Sequence, residues 1–208
     1  MKENLKTKYH CEITKDTFQN IFLPEVLQII IEANIGQDAL KFQVWHDHYH
    51  FDNNSFDSAN KYCDELRLAV LTSIKTADFP CAWKSFGKLT HTVQDLYAHS
   101  NYVNLWLKSH PDSTADMIDP ASTIILESHD LISGKLYYPL EVLSFVKILE
   151  PVILPFLPKD SHAWMNLDDP SRLNFDFAKT AASRRTLLEY QFIAEKISTE
   201  EKVKFSGN

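Results

Sequence analysis

Glycine is scarce in this chain, with four in 208 residues. Sandwiches and barrels need residues that take positive φ in tight turns, so the shortage argues against a strand-rich fold and for helices. Cysteine is scarce too, and odd in number: Cys11, Cys63 and Cys81 stand far apart with no C-x-x-C pair. They define neither a disulfide framework nor a thiolate metal site, and read as small apolar residues of the interior. No apolar run approaches the roughly 20 residues that a bilayer-crossing helix requires, so no transmembrane segment is expected. The opening MKENLKTKYH lacks the apolar segment of a signal peptide. The chain as written therefore reads as cytoplasmic, or as secreted if a leader has been removed. Clusters of positive charge are also missing. The formal net charge is -7, and the pair Arg184-Arg185 stands alone. That excludes an extended nucleic-acid surface built on phosphate neutralisation. A small nucleotide held through metal ions stays compatible with this composition.

What is present suits one domain. The hydrophobic fraction of 44% over 208 residues can close a single core without cross-links. We expect a domain over 1–208 with its core at about 10–195. Apolar spacing predicts a helix from about Thr14 to Asn34, divided at Pro24, and then a loop from Gly36 to Asn54. Ser55 is placed to cap a helix running to about Ile74. Further helices are expected from Pro80 to Leu107 and from Thr114 to Ile132. Pro151, Pro155 and Pro158 break the apolar segment from Pro139 to Pro158 into short helices, a wall or a lid. Asp169-Pro170 reads as the cap and first residue of the last helix, with Phe177, Ala181, Leu188 and Phe192 on its apolar face. The terminal TEEKVKFSGN reads as frayed. No segment alternates with period two, so the expected fold is an all-α, single-domain helical bundle.

The chemistry concentrates in HTVQDLYAHSNY. His91, Asp95 and His99 stand at i, i+4 and i+8 of the third long helix, and successive steps of four drift by only about 40°. The three side chains share one stripe of a helix that is apolar almost all round, and such a helix is central. Two imidazoles and a carboxylate are costly to bury without a partner, and a divalent cation is one. A solvated stripe or a His–Asp core pair is the plainer alternative. The loop string WHDHYHFDNN adds His46, Asp47, His48, His50 and Asp52. Of these, His50 is the ligand candidate because Phe51 can anchor it, and the rest read as loop surface. Asp38 follows the first helical pattern and is either a ligand or a turn residue. His10 stands before the first predicted helix. His162 lies in KDSHAWMNLDDP, where Asp168 is a candidate ligand and Asp169 a helix cap. His129-Asp130 reads as a ligand pair or a polar pair, and His110 before Pro111 as a turn residue. Tyr102, Trp106 and Trp164 are either an apolar rim for an acyl chain or base, or simply core.

HTVQDLYAHSNYV resembles the H-x-x-Q-D-x-x-A-H-S-N signature of the fungal heterokaryon-incompatibility Het-C family. That family resembles bacterial zinc-dependent phospholipase C and the fungal single-strand nucleases, which share an all-helical trizinc fold. The likeness extends over about residues 10 to 190. His10, Asp38 with His50-Phe51, LISGKLYYP, and His162 with NLDDP fall in the corresponding order. The resemblance implies two or three zinc ions. Asp38, His50, His91 and Asp95 would hold one, with Asp95 bridging to a second at His10. His99 and His162 would hold a third, with Asp168 as the acidic partner. It also implies phosphoester hydrolysis of a phospholipid or nucleotide by a metal-bound hydroxide, with Asp38 and Asp95 catalytic. The sequence departs from that pattern in lacking an N-terminal tryptophan and in carrying Asn166 where the phospholipase has a glutamate.

Other readings compete. An HD-type metal phosphohydrolase would use His91, His129-Asp130 and Asp168, and would have no use for His99. A non-catalytic Het-C-like interaction module would keep metals only to hold the fold. The His/carboxylate set also suits iron or manganese, which admits an iron-dependent oxidase.

Overall fold

The computed structural model describes residues 5–43, 45–144, 146 and 148–208. The protein is all-α, and no strand forms among the described residues. Only two isolated bridges occur there, Ser100 with Ser133 and Lys135 with Ser161. In chain order the helices are α1 (Leu5–Phe18), α2 (Pro24–Ile35), α3 (Leu40–Gln43), α4 (Asp47–His50), α5 (Phe56–Lys75), α6 (Phe79–His99), α7 (Tyr102–Ser109), α8 (Thr123–Leu126), α9 (Leu140–Ser144), α10 (Glu150–Ile153), α11 (His162–Met165), α12 (Phe175–Glu195) and α13 (Thr199–Phe205).

Helix α6 is the axis of the bundle. Asp78 caps it by accepting from the Cys81 backbone N–H, and Pro80 opens its first turn, where a missing N–H costs nothing. From Leu89 to His99 every side chain is buried. It packs against α1, α2, α5, α11, α12 and α13. Gly87 sets the approach of α2, since a Cβ there would lie 2.3 Å from the Ile30 carbonyl. The core around α6 is built from Phe18, Ile30, Val70, Phe86, Leu89, Tyr97 and Ile193.

Several boundaries differ from the sequence expectation. Helix α1 begins earlier, so His10 sits inside it. The third long helix stops at His99, and Ser100 is extended with ψ 171°. Residues 131–136 cause this break. Asn101 N–H donates to Ile132 O at 3.0 Å, and Gly134 N–H donates to His99 O at 2.8 Å. Between Thr114 and Ile132 only a 3-10 turn and the four-residue α8 form, interrupted by Pro120. The last long helix starts at Phe175, with Asn174 at φ 69° before it. Asp169 instead caps a turn, accepting from Ser171 N–H. The buried face of α12 carries Ala178, Ala181, Ala182, Thr186, Glu189 and Ile193, while Leu188 and Phe192 lie outside. Apolarity misplaces this face because the interior it meets is partly polar. The C-terminus is not frayed: Ser198 and Glu201 form a reciprocal capping box, and Phe205 is buried. Of the cysteines, Cys63 is buried but Cys81 is exposed.

The proline-punctuated segment does form short helices, α9 and α10, followed by a 3-10 turn over Leu154–Phe156. Its outer side is apolar: Leu143, Val146, Ile148, Val152 and Phe156 are all exposed. Trp45 is exposed as well and stacks on Tyr138. No helix among the described residues is long and apolar enough to cross a membrane.

Candidate metal centre

Asp95 is the hub of the site. Its carboxylate is buried in the middle of α6, and each oxygen faces imidazoles. Oδ1 lies 3.1 Å from His10 Nε2 and 3.9 Å from His99 Nε2. Oδ2 lies 2.8 Å from His50 Nδ1 and 3.0 Å from His91 Nε2. Asp38 closes the far side of His91, its Oδ1 3.9 Å from His91 Nε2. Beyond His99, Asp168 Oδ2 is 3.2 Å from His99 Nε2. Asp52 Oδ1 is 2.8 Å from His162 Nδ1 and 3.5 Å from His99 Nδ1.

The local chain explains how these side chains converge. His91, Asp95 and His99 come from helical spacing on α6. His50 ends α4, and Phe51 follows in the left-handed region at φ 56°. That reversal buries His50, Phe51 and Asp52 together. Asn53 and Asn54 also take positive φ, which Asn tolerates better than most residues. Their side chains accept from Leu136 N–H and Ser133 N–H at 2.7 Å each. The same segment joins His162, whose N–H donates to Lys135 O at 2.9 Å. Gly134 is needed for this contact, because a Cβ there would meet His162 Cα at 2.5 Å. Residues 131–136 thus tie the ends of α6 and α4 to α11.

Three groups of donor atoms lie close enough to share an ion: His10, Asp38 and His91; His50, His91 and Asp95; and Asp52, His99 and His162. Their spacings bracket the roughly 3.3 Å edge of a tetrahedron with bonds of about 2.0–2.1 Å. The donor set fits a cation on a second ground. His50 Nδ1 and His91 Nε2 are 3.2 Å apart while both face Asp95 Oδ2. Asp95 Oδ1, on the side of His10 and His99, is buried with no hydrogen bond from the protein. A core that existed only to satisfy its own polar groups would not leave such an atom.

Electrostatics agree. Burial works against a charge on His10 and on His99, yet the neighbouring carboxylates, Asp95 first, raise both to about 10. His50 is raised as well, against burial, by its hydrogen bond and charge interaction with Asp95. His91 moves the other way, lowered by burial despite Asp95. Burial pushes Asp95 and Asp52 up, but the surrounding histidines hold both below the ordinary carboxylate range. Asp168 is drawn down to about 2, against burial, by His99. The carboxylates thus collect positive charge here, and without a metal ion protons supply it.

All the expected ligands, His10, Asp38, His50, His91, Asp95, His99, His162 and Asp168, meet at this centre. Asp52, set aside as loop surface, belongs with them, and its only signal in the sequence was its spacing of two from His50. Asn166 stands where a carboxylate was missed. Its Nδ2 lies 3.3 Å from His162 Nε2, and its Oδ1 accepts from Asp168 N–H. His46 and His48 are partly exposed in an aromatic group with Tyr49 and Tyr62. His129 and Asp130 are exposed and belong to none of the three groups. His110 stacks on Trp106. Tyr102 and Trp106 are core and make no rim, while Trp164 is half-buried and donates to the Leu154 and Leu157 carbonyls.

The fold and site define an all-helical domain organised around a buried histidine–aspartate cluster. Residues 3–124 match the family described as the VWA7 N-terminal domain, and the chain belongs to that family. No curated protein and no solved structure matches it. The family match overturns the assignment to the Het-C and zinc-dependent phospholipase C group. The motif that suggested that group is one buried helix with ligands every fourth residue. Helical geometry alone imposes such a pattern, so it does not discriminate between families. The matched region holds every candidate ligand except His162 and Asp168.

Proposed function

We propose that the cluster is a polynuclear metal centre, zinc in the first instance, and that the protein is a metal-dependent phosphoester hydrolase. The observation that carries this reading is Asp95, one buried carboxylate with two imidazoles on each oxygen, placed to bridge two ions. When bound, clustered divalent ions lower the pKa of water and neutralise phosphoryl charge. The chain supplies the rest. Asp95, His10, His50 and His91 would hold two of the ions, while His99 and His162, with Asp52 or Asp168, would hold a third. Asp38 and Asp168 are the carboxylates with solvent access, 13% and 12% exposed against 1% for Asp95. Asp38 is accordingly assigned the proton from an attacking water. A narrow cleft between α1, α6 and α12 reaches His10 and Asp168, with Tyr9, Leu167 and Phe175 on its walls.

Such a centre suits phospholipids and nucleotides alike. The exposed apolar side of α9 and α10 favours the first. Those helices are fastened to the His162 turn, since Glu141 accepts from Ala163 N–H at 2.7 Å and Trp164 Nε1–H donates to Leu154 O at 2.9 Å.

The test is elemental analysis of the purified protein. Assays on bis-p-nitrophenyl phosphate, nucleotides and phosphatidylcholine vesicles accompany it. Two or three equivalents of zinc and hydrolysis that chelation abolishes are expected. Less than one equivalent of any divalent metal after reconstitution rejects the centre. Full metallation without hydrolysis leaves a structural centre. Iron as the resident ion turns the assignment towards an oxidase.

A further inference from the structure

We infer that Gln94 is a positioning residue for His10. It fixes the imidazole tautomer whose Nε2 faces the centre, and a hydrogen-bond relay starting at the Gly87 carbonyl fixes Gln94 in turn. This rests on the metal-centre reading and deepens it.

A neutral imidazole has one donor and one acceptor nitrogen. His10 Nδ1 lies 2.7 Å from the Gln94 amide. Whether Nδ1 donates depends on which end of that amide faces it, and the two ends have the same shape. The neighbours settle the orientation. Thr90 Oγ1 donates to Gly87 O at 2.8 Å. A backbone carbonyl can only accept, so the single Thr90 hydroxyl proton is committed. Thr90 Oγ1 must then accept from Asn34, and the amide end 3.0 Å away is Nδ2. The same Asn34 nitrogen lies 3.3 Å from Gln94, so Gln94 presents Oε1 on that side. The other end of Gln94, Nε2, donates to Thr186 Oγ1 at 3.0 Å and Thr14 Oγ1 at 3.2 Å. Asn34 Oδ1 meets no hydrogen-bond partner in the protein, so the Thr90 and Gln94 side of the amide alone sets its orientation.

Oε1 therefore faces His10 and Nδ1 carries a proton, so the nitrogen left to bind an ion is Nε2, beside Asp95 Oδ1. Thr14, Asn34, Thr90, Gln94 and Thr186 are all buried. A buried network is specific only when its members agree. The members come from α1, α2, α6 and α12, so helix packing itself sets the state of His10. A histidine ligand whose other nitrogen donates to a fixed acceptor is held in ring orientation and made more basic. Loss of such a partner costs roughly 10- to 100-fold in metal affinity.

The experiment loads the full chain, labelled with ¹⁵N-histidine, with ¹¹³Cd. Coupling of cadmium to His10 Nε2, with a proton retained on Nδ1, is expected in the wild-type protein. Gln94→Met, which keeps bulk but removes the acceptor, should weaken the His10 position roughly 10- to 100-fold. The His99 coupling should persist. Gln94→Glu, which restores an acceptor, should recover the His10 coupling. Cadmium on His10 Nδ1 overturns the inference from the wild-type protein alone, whether or not any variant folds. A Gln94→Met titration superimposable on wild type also overturns it. Wild-type protein that takes up no cadmium removes the metal centre itself, which separates that failure from the failure of the relay.

Discussion

Two buried charge clusters flank α6, and they are finished in opposite ways. Glu189 on α12 receives Arg67 through Nη2 at 2.6 Å and Nε at 2.7 Å, and Arg185 Nε at 2.9 Å. Arg67 also reaches Asp64 at 2.6 Å. Both Glu189 oxygens and all three Arg67 nitrogens are paired within the chain. Around Asp95 the balance differs. Carboxylate oxygens and imidazole nitrogens crowd together, and Asp95 Oδ1 is left without a hydrogen bond from the protein. A cluster completed by side chains belongs to stability, while one that needs an outside cation belongs to binding. The two differ in burial as well: Arg67 and Arg185 keep 17% and 22% of their side chains exposed, against 1% for Asp95 and 0% for His91.

The strongest way to break the comparison is Asp95→Asn. It should remove the bridged pair of ions and lower hydrolysis at least about 100-fold, following the scale for loss of an electrostatic catalytic group. The metal-free protein should lose stability too, because Asp95 is then the buried counter-charge of His10, His50 and His99. Elemental analysis beside urea denaturation checks both halves, and retention of all the metal would end the bridging assignment. Asn166→Ala should lose far less metal in the same measurement.

Glu189→Ala should act on stability alone. It strands two partly buried guanidinium groups and should cost about 3–5 kcal/mol of folding stability. Metal content per folded molecule should stay at the wild-type level. Denaturation midpoints and elemental analysis on the same sample decide this.

Metal removal should separate the clusters more gently. Chelation should lower unfolding stability by about 2.7 kcal/mol if the free metal had stood at 100 times its dissociation constant. Glu189→Ala should show the same chelation-dependent loss as wild type, and a changed loss would mean that the two clusters are coupled.

Acid should find the Glu189 cluster by its sign. Burial raises the Glu189 carboxyl, but Arg67 and Arg185 bring it below its ordinary value of 4.5. A folded-state value below the unfolded one gives stability that is complete above about pH 4.5 and disappears as pH falls through the folded-state value. Stability of metal-free protein should therefore decline more steeply below pH 4.5 in wild type than in Glu189→Gln. Parallel slopes would refute this. The smallest expected effect belongs to His129→Ala. It should leave metal content and activity unchanged, whereas a loss would revive the HD-type arrangement.

Much of the centre was legible because helical spacing is local. His91, Asp95 and His99 needed only periodicity and the apolarity of their surroundings. Proline breaks in the 139–158 segment were equally plain, since proline acts on its own backbone. Asp52 was not legible, because nothing local says that the left-handed turn at Phe51 carries it inward beside His50. Nor was the polar face of α12. Thr186 and Glu189 look like solvent-facing residues until Gln94 and Arg67 are placed against them, and Leu188 and Phe192 mislead in the same way. The Ser198 and Glu201 capping box was written in the sequence and was hidden only by the polar look of the tail.

The sequence by itself determined an all-α chain with a central helix that carries a line of histidine and aspartate side chains. Helix periodicity, caps and breaks are set by neighbours within about one turn. Tertiary structure alone decided that Asp95 faces two groups of imidazoles at once and that residues 131–136 bind the ends of three elements together. It also decided that a Gly87 carbonyl sets the tautomer of a histidine on another helix. Those relations join residues scores of positions apart, and only packing brings their atoms within hydrogen-bond distance.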